Sequence, residues 1–361
     1  MAFTGYNIFP GLTVIGAVSP SVQELAVTFN MEAVNALQMP VEEDLAWADM
    51  AGVTPAVFQG KIPLDFTALD GFEPFHGTRS YKQIDVAALK VDVLQWQRNL
   101  EWDIRFNEAG AVEIAGAYNL GNKAASMVAH ARVMRARLAA SVLMQGTPGT
   151  DKARVYEGND IPGAGKSLFN TAHLANPLFA DSRTFSNYHA AAGKFDTATF
   201  ATTRKNMRTI PSPALSAETL GLQVTDIIGP SIMEEPFRQV SMALLTLQTQ
   251  TVSGTPVGAA ASNIYAAGLT SWRFWIAPQL DADPYLVANP GKHLWFAVSR
   301  KLPGARGIEM VAPTREFTPR IQLFGDGTEM AAATRKVHMI ADLDAGAAAG
   351  LPHVVARYEE T

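Results

Sequence analysis

The sequence predicts an α+β fold, and three observations predict it. Residues 94–106 alternate apolar and polar side chains, which is the period of a strand with one wet face. Residues 119–145 repeat apolar side chains every three or four positions, which is the period of a helix. The signals that follow mix helices and strands without a βαβα repeat, which argues against a doubly wound sheet.

Taken in order, residues 1–20 combine Gly, Pro and scattered aromatics with no sustained period and read as an extended arm. From Ser21 to about Met39, Val22, Leu25, Val27, Phe29, Val34 and Leu37 allow a helix that Pro40 closes. Residues 52–78 interleave Gly and Pro with Phe58, Phe66, Phe72 and Phe75, an irregular connector whose aromatics need a surface. In the strand signal, Leu94, Trp96, Leu100, Trp102, Ile104 and Phe106 share one parity, interrupted only by Arg98. Upstream the apolar parity slips by one near Ala88–Leu89, so a two-stranded projection is expected from about Tyr81 to Phe106. Such a hairpin is marginal alone, and its apolar face should rest on this chain or on a neighbour.

The helix signal at 119–145 has Asn119 as a candidate cap and Gly146 as its stop. Arg132, Arg135 and Arg137 lie in its C-terminal half, where cations suit the helix dipole. Loops follow to about 165. A helix is expected at Thr197–Arg208, a strand and helix between Leu222 and Leu247 joined at Gly229–Pro230, and strands at 272–277, 294–300, 317–324 and 335–342.

Composition removes several function classes. The chain has 361 residues, 48% hydrophobic and 17% charged, and no cysteine, so disorder as the main state, disulfide scaffolds, Cys-based zinc sites and thiol catalysis are excluded. Its net charge of −5 is unevenly placed. Glu24, Glu32, Glu42, Glu43, Asp44 and Asp49 all precede the first basic residue, Lys61, leaving 29 basic against 28 acidic residues from Lys61 onward. The first sixth is therefore an acidic segment attached to a nearly neutral body. It lacks the basic start of a secretory signal, and no apolar run approaches the roughly 18 residues of a membrane span.

No motif carries chemistry. GAGKS at Gly163–Ser167 imitates a phosphate loop, but Asp160 stands where the pattern needs Gly, so an ordinary loop is expected. The seven histidines lie too far apart in sequence for a local metal pair, and His173, among small polar residues, reads as hydrogen-bonded and structural. Asp342 and Asp344 lack the Glu that a calcium loop requires and read as a solvated turn. Glu42–Glu43 and Glu234–Glu235 read as water-exposed faces, and the six tryptophans as core. Basic residues are dispersed, which argues against sequence-specific DNA binding.

Three segments have a more particular likeness. GFEPFHGTRSYKQI (71–84), RNLEWDIRFNEAG (98–110) and AYNLGNKAASMVAHARVMRARLAASVLMQG (117–146), with KSLFNTAHLAN (166–176) and FATTRKNM (200–207), resemble the Mu-like major head subunit family of tailed bacteriophages, with the Hong Kong 97 type fold. The resemblance spans most of 60–247. It implies an arm at 1–60, a connector at 61–76, an extended hairpin loop at 77–110, a peripheral domain from 111–210 and 313–361 built on a spine helix at 117–145, and an axial domain at 211–312. It further implies self-assembly into pentamers and hexamers of an icosahedral virion shell around packaged double-stranded DNA, bound without sequence specificity, in the host cytoplasm. Scaffold would be a separate protein, with portal and decoration proteins as further partners. No enzyme activity, catalytic residue, metal, cofactor or membrane is expected. The candidate intersubunit contacts are Trp96, Arg98, Trp102 and Phe106 of the loop and Tyr6 and Phe9 of the arm, and the acidic arm is expected to dock on a neighbouring subunit. An encapsulin-like nanocompartment shell shares the fold and differs in its contents, and an α+β enzyme would instead be a small oligomer with a polar pocket.

Overall fold

The computed structural model describes residues 12–16, 20–55, 61–65, 86–103, 120–149, 153–157, 159–178, 183–213, 218–242, 245–252, 255–262 and 272–361, apart from 301, 303, 315–316 and 326. Two mixed sheets lie along one long helix. The first is organised by β16 (Lys336–Ala349), a strand of 14 residues with different partners on its two sides. On one side β5 (Leu94–Asp103) pairs with it antiparallel from Lys336↔Asp103 to Ala345↔Leu94. On the other, β15 (Arg320–Phe324) takes its first half and β14 (Ile308–Ala312) its second. Beyond these, β1 (Leu12–Ile15) runs parallel to β15 and β2 (Gly52–Pro55) parallel to β14.

The second sheet has the order β12 (Arg273–Ile276), β9 (Asp226–Gly229), β13 (Leu294–Val298), β17 (Val355–Glu359) and β8 (Tyr188–His189). Three small ribbons complete the strands: β3 (Lys61–Asp65) with β4 (Val86–Lys90), β6 (His173–Leu174) with β7 (Thr184–Phe185), and β10 (Leu245–Val252) with β11 (Thr255–Ser262).

The rod helix, Leu120–Met144, has 25 residues and is about 37 Å long at 1.5 Å per residue. It contains no proline, and the alanines at 124, 131, 136, 139 and 140 are nearly inaccessible, so neighbours approach its backbone closely. Its length lets it serve two cores. The N-terminal half (Ala124, Met127, Val128) packs with Trp102, with Ile321 and Leu323 of β15, with Val337 and Met339 of β16, and with Phe29 and Ala33 of the N-terminal helix Pro20–Gln38. The C-terminal half (Ala136, Ala139, Leu143) joins the larger core with Trp295, Phe296, Val355 and Tyr358 of the second sheet. The helix stops at buried Gly146, where a Cβ would press against Leu168 and Phe169 at 3.0 Å.

Several expectations hold in detail. The helix Thr197–Arg208 begins at Asp196, whose carboxylate accepts from Thr199 N at 2.7 Å while Thr199 Oγ1 accepts from Asp196 N, a reciprocal cap. Asp196→Ala is expected to cost about 1 kcal/mol, read as a lower urea midpoint with an unchanged slope. The strand and helix around Gly229–Pro230 are β9 and Glu234–Met242. Gly229 is required by packing, since a Cβ would meet Met233 and Phe237 within 2.8 Å.

Other expectations are corrected. Among the described residues, the two strands expected between Tyr81 and Phe106 do not pair with each other: β4 pairs with β3, and β5 pairs with β16. The reason is complementarity. Trp102, Leu100, Arg98 and Trp96 face Val337, Met339, Ala341 and Leu343 across the ladder, so two alternating patterns coincide on one apolar face. The corner between β4 and β5 lies against Gly346 of β16, where a Cβ would stand 2.2 Å from the carbonyl oxygen of Asp92. Asp342 and Asp344 are polar-face positions within β16, and Asp344 binds Arg320 at 2.6 Å, so they form no turn. The closing strand β17 pairs with β13 on one side and with β8 on the other.

Candidate shell-forming surfaces

The surfaces to weigh are those that the sequence placed between subunits. Trp102 is 9% exposed, meets Phe29 edge-on at 6.2 Å and belongs to its own chain's core. Trp96 is half-buried and donates from Nε1 to Ala345 O at 3.3 Å. Arg98 is half-buried on the same face. Thus the apolar face of β5 rests on this chain, the first of the two supports expected for it. Phe106, Tyr6 and Phe9 lie outside the described residues. The opposite face of β5 is polar and exposed at Gln95, Gln97, Asn99 and Glu101, with Glu101 held by Lys336 at 2.5 Å. That hydrogen bond and the Lys336 charge keep the Glu101 carboxyl below its ordinary range.

The acidic N-terminal segment is also docked at home. Strand β1 pairs with β15, β2 pairs with β14, and Trp47 is 1% exposed. Two of the three arginines assigned to the rod helix dipole secure it. Arg132 donates to Met39 O at 2.9 Å and Leu37 O at 2.7 Å, closing the C-terminus of the neighbouring helix. Arg135 binds Asp49 at 2.5 Å. Burial lowers the Arg135 proton affinity, and Asp49 offsets part of that loss. The described residues of this segment therefore find complementary charge and apolar surface within the chain. What this segment leaves uncovered is Met31, Met39 and Val41, at 51%, 61% and 36% exposure, beside the exposed acids Glu42 and Asp44.

A groove of about 630 Å³ opens between β2 and the 298–307 segment, with Arg135, Arg300 and Arg306 in its wall. Each arginine has an acidic neighbour. Arg300 forms a fork of two 2.7 Å bonds to Asp226, which is fully buried and also accepts from Trp275 Nε1 at 2.8 Å. Arg306 lies 4.0 Å from Glu309, whose carboxyl burial pushes up to about 7 against the opposing pull of Arg306. These pairs fix local structure and leave the groove without an unpaired acid or base poised for catalysis.

The most heavily built polar cluster was missed by sequence reasoning. Arg357, in β17, is 1% exposed and donates to Asp283 at 2.7 and 2.8 Å and to Glu359 at 2.7 Å. Its guanidinium sits 5.3 Å from the Phe296 ring centroid and reaches Leu143 O at the end of the rod helix. Tyr188 donates to the second oxygen of Glu359 at 2.8 Å. Burial opposes the Arg357 charge, but Asp283 and Glu359 outweigh it and hold the proton more firmly than usual. The signal available in the sequence was an arginine inside the apolar run VVARY.

His173 is structural as read: buried, bonded to Leu168 O at 3.0 Å and beside Phe185 at 5.5 Å. His353 packs on the same ring at 4.6 Å. In GAGKS, Lys166 Nζ donates to Ala172 O and Gly165 takes φ +79°, a loop closed on itself. Glu234 pairs with Arg238 on an exposed helix face. Among the described residues there is no group of three or more His, Asp or Glu placed to hold a metal, and no helix long and apolar enough to cross a membrane.

No family model matches the chain, and no curated protein matches it in sequence. Solved structures do. The procapsid of bacteriophage JBD30 is similar over 95% of this chain and 77% of its own, at 10% identity and a TM-score of 0.47. A phage-related protein from Bordetella bronchiseptica RB50 is similar over 96% and 98%, at 10% identity and 0.48. The virus-like particle from Pyrococcus furiosus is similar over 93% and 100%, at 11% identity and 0.43.

Proposed function

We propose that the chain is a major capsid protein that assembles with copies of itself into an icosahedral phage shell. The observation that carries this reading is the order of parts in one chain: a docked N-terminal helix, a long strand laid along a sheet, a rod helix shared by two cores, and a mixed α/β body closed by the C-terminal strand. The segments at 71–84, 98–110, 117–146 and 166–176 resemble, in the same order, segments of the Mu-like major head subunit family. In this reading 77–110 is the extended loop, 111–210 with 313–361 forms the peripheral domain around the rod helix, and 211–312 forms the axial domain. Double-stranded DNA is the content, scaffold and portal are separate proteins, and assembly takes place in the host cytoplasm.

The expressed full-length chain, with a scaffold supplied where needed, is expected to sediment as megadalton particles that appear as closed shells in electron micrographs. A stable monomer or dimer under every assembly condition overturns the reading. Nucleic acid inside particles from infected or induced cells supports a virion; an enclosed enzyme supports a nanocompartment.

A further inference from the structure

The chain is acidic overall, yet no Asp or Glu occurs between Glu113 and Asp151, a stretch that contains the whole rod helix. Five cationic or titratable basic side chains lie on that helix: Lys123, His130, Arg132, Arg135 and Arg137. Arg132 and Arg135 point to the N-terminal segment and are consumed there. The other three are exposed. Among the described residues, neither Lys123 nor Arg137 has an acidic partner, and the ring of His130 bonds only to Ser126 O of its own helix.

Lys123, His130 and Arg137 are spaced by seven residues, so they recur on one face with a drift of about 20° per step. They lie about 10.5 Å apart, and the row is about 21 Å long. Ser126, Ala129, Val133 and Ser141 occupy the surface around them, and none projects far enough to hold a partner away. A straight row of evenly spaced basic side chains, with low relief between them, suits a linear polyanion better than an acidic protein loop, whose carboxylates cluster at one point. B-form DNA presents about one charge per 1.7 Å of its axis, so about twelve phosphate charges pass along such a row.

We propose that the exposed face of the rod helix, at Lys123, His130 and Arg137, is a backbone-binding surface for double-stranded DNA. This rests on the shell reading for its setting and names the wall that meets the packaged genome. Few contacts per copy keep each one weak and reversible, while many copies act together. Base edges are not read, so the binding carries no sequence preference.

The test uses the full-length dispersed protein and a fluorescent 20-bp duplex, with affinity measured at several salt concentrations. The two fixed charges, Lys123 and Arg137, predict a slope of log affinity against log salt of about −1.8. The double variant Lys123→Gln/Arg137→Gln is expected to flatten that slope by about 1.8, and His130→Gln to weaken binding further. Lys205→Gln/Arg208→Gln, on the other basic helix, is expected to leave slope and affinity unchanged. Equal losses in both double variants, or no duplex binding by the parent protein at low salt, overturn the proposal. Shell yield is scored for each variant by electron microscopy. Loss of shells with duplex binding retained makes the row a contact for acidic protein and overturns the proposal as well. Failure of the parent to form shells counts against the shell reading and leaves the duplex measurement to decide this one.

Discussion

Arg357→Met is expected to remove about 3–5 kcal/mol of stability, because it deletes the cation that bridges two buried carboxylates and leaves them facing each other. Asp283 is fully buried and Glu359 is 5% exposed, so neither can turn to water without moving its strand or turn. The side chain also ties three elements together: β17, the turn at Asp283 and the last carbonyls of the rod helix. Urea unfolding of the parent and variant measures the loss. A triple variant that adds Asp283→Asn and Glu359→Gln is expected to recover a large part of it, because the penalty lies in the unpaired charges more than in the missing side chain. A single variant within 1 kcal/mol of the parent would show that the carboxylates find other partners, and the cluster would lose its assigned role.

Acid is expected to have a comparable effect. Burial pushes His173 down to about 3 and His353 down to about 4, and both are neutral in the fold. An unfolded histidine has a pKa near 6.5, so below that value the unfolded chain binds protons that the folded chain refuses. Their contribution is therefore complete above about pH 6.5 and is lost as pH falls toward their folded values. At pH 5 the loss is about 2 kcal/mol for each, or about 4 kcal/mol for the pair. His189, lowered by burial to about 4, adds to it in the same direction. Glu309 runs the other way. Its carboxyl is raised, so its burial is unfavourable above about pH 7 and that penalty is relieved as pH falls toward 4.5. The difference in urea stability between pH 7.5 and pH 5 should shrink by about 4 kcal/mol in His173→Asn/His353→Leu and grow in Glu309→Gln. An unchanged difference in the histidine variant would refute the assignment.

The sequence exposed what depends on local period and concealed what depends on distant pairing. The rod helix, the helix Thr197–Arg208 and the apolar parity of β5 were readable because each is decided by residues within a few positions of one another. The partner of β5 was not, since β16 lies more than 230 residues away and its own alternation was read only to 342. The same limit hid the destination of the N-terminal segment. An acidic stretch without bases signals a need for cations, but nothing local says that Arg132 and Arg135 of the same chain supply it. Arg357 was legible only as an anomaly, a charge in an apolar strand, because its partners Asp283 and the Leu143 carbonyl are brought to it by the fold.

Strand β16 also sets an order of events during synthesis. Strands β1, β2 and β5 attach, directly or through β14 and β15, to a strand made more than 230 residues after β5, and β17 follows later still to join β13. Until then the first hundred residues have helices but no completed sheet to lie on, and the second sheet lacks the strand between β13 and β8. Long-range pairing of this kind is slow and delays cooperative folding until both strands have been made. A nascent chain therefore carries two unfinished sheets, with their strand edges open, for most of the time that residues 104–335 are being added.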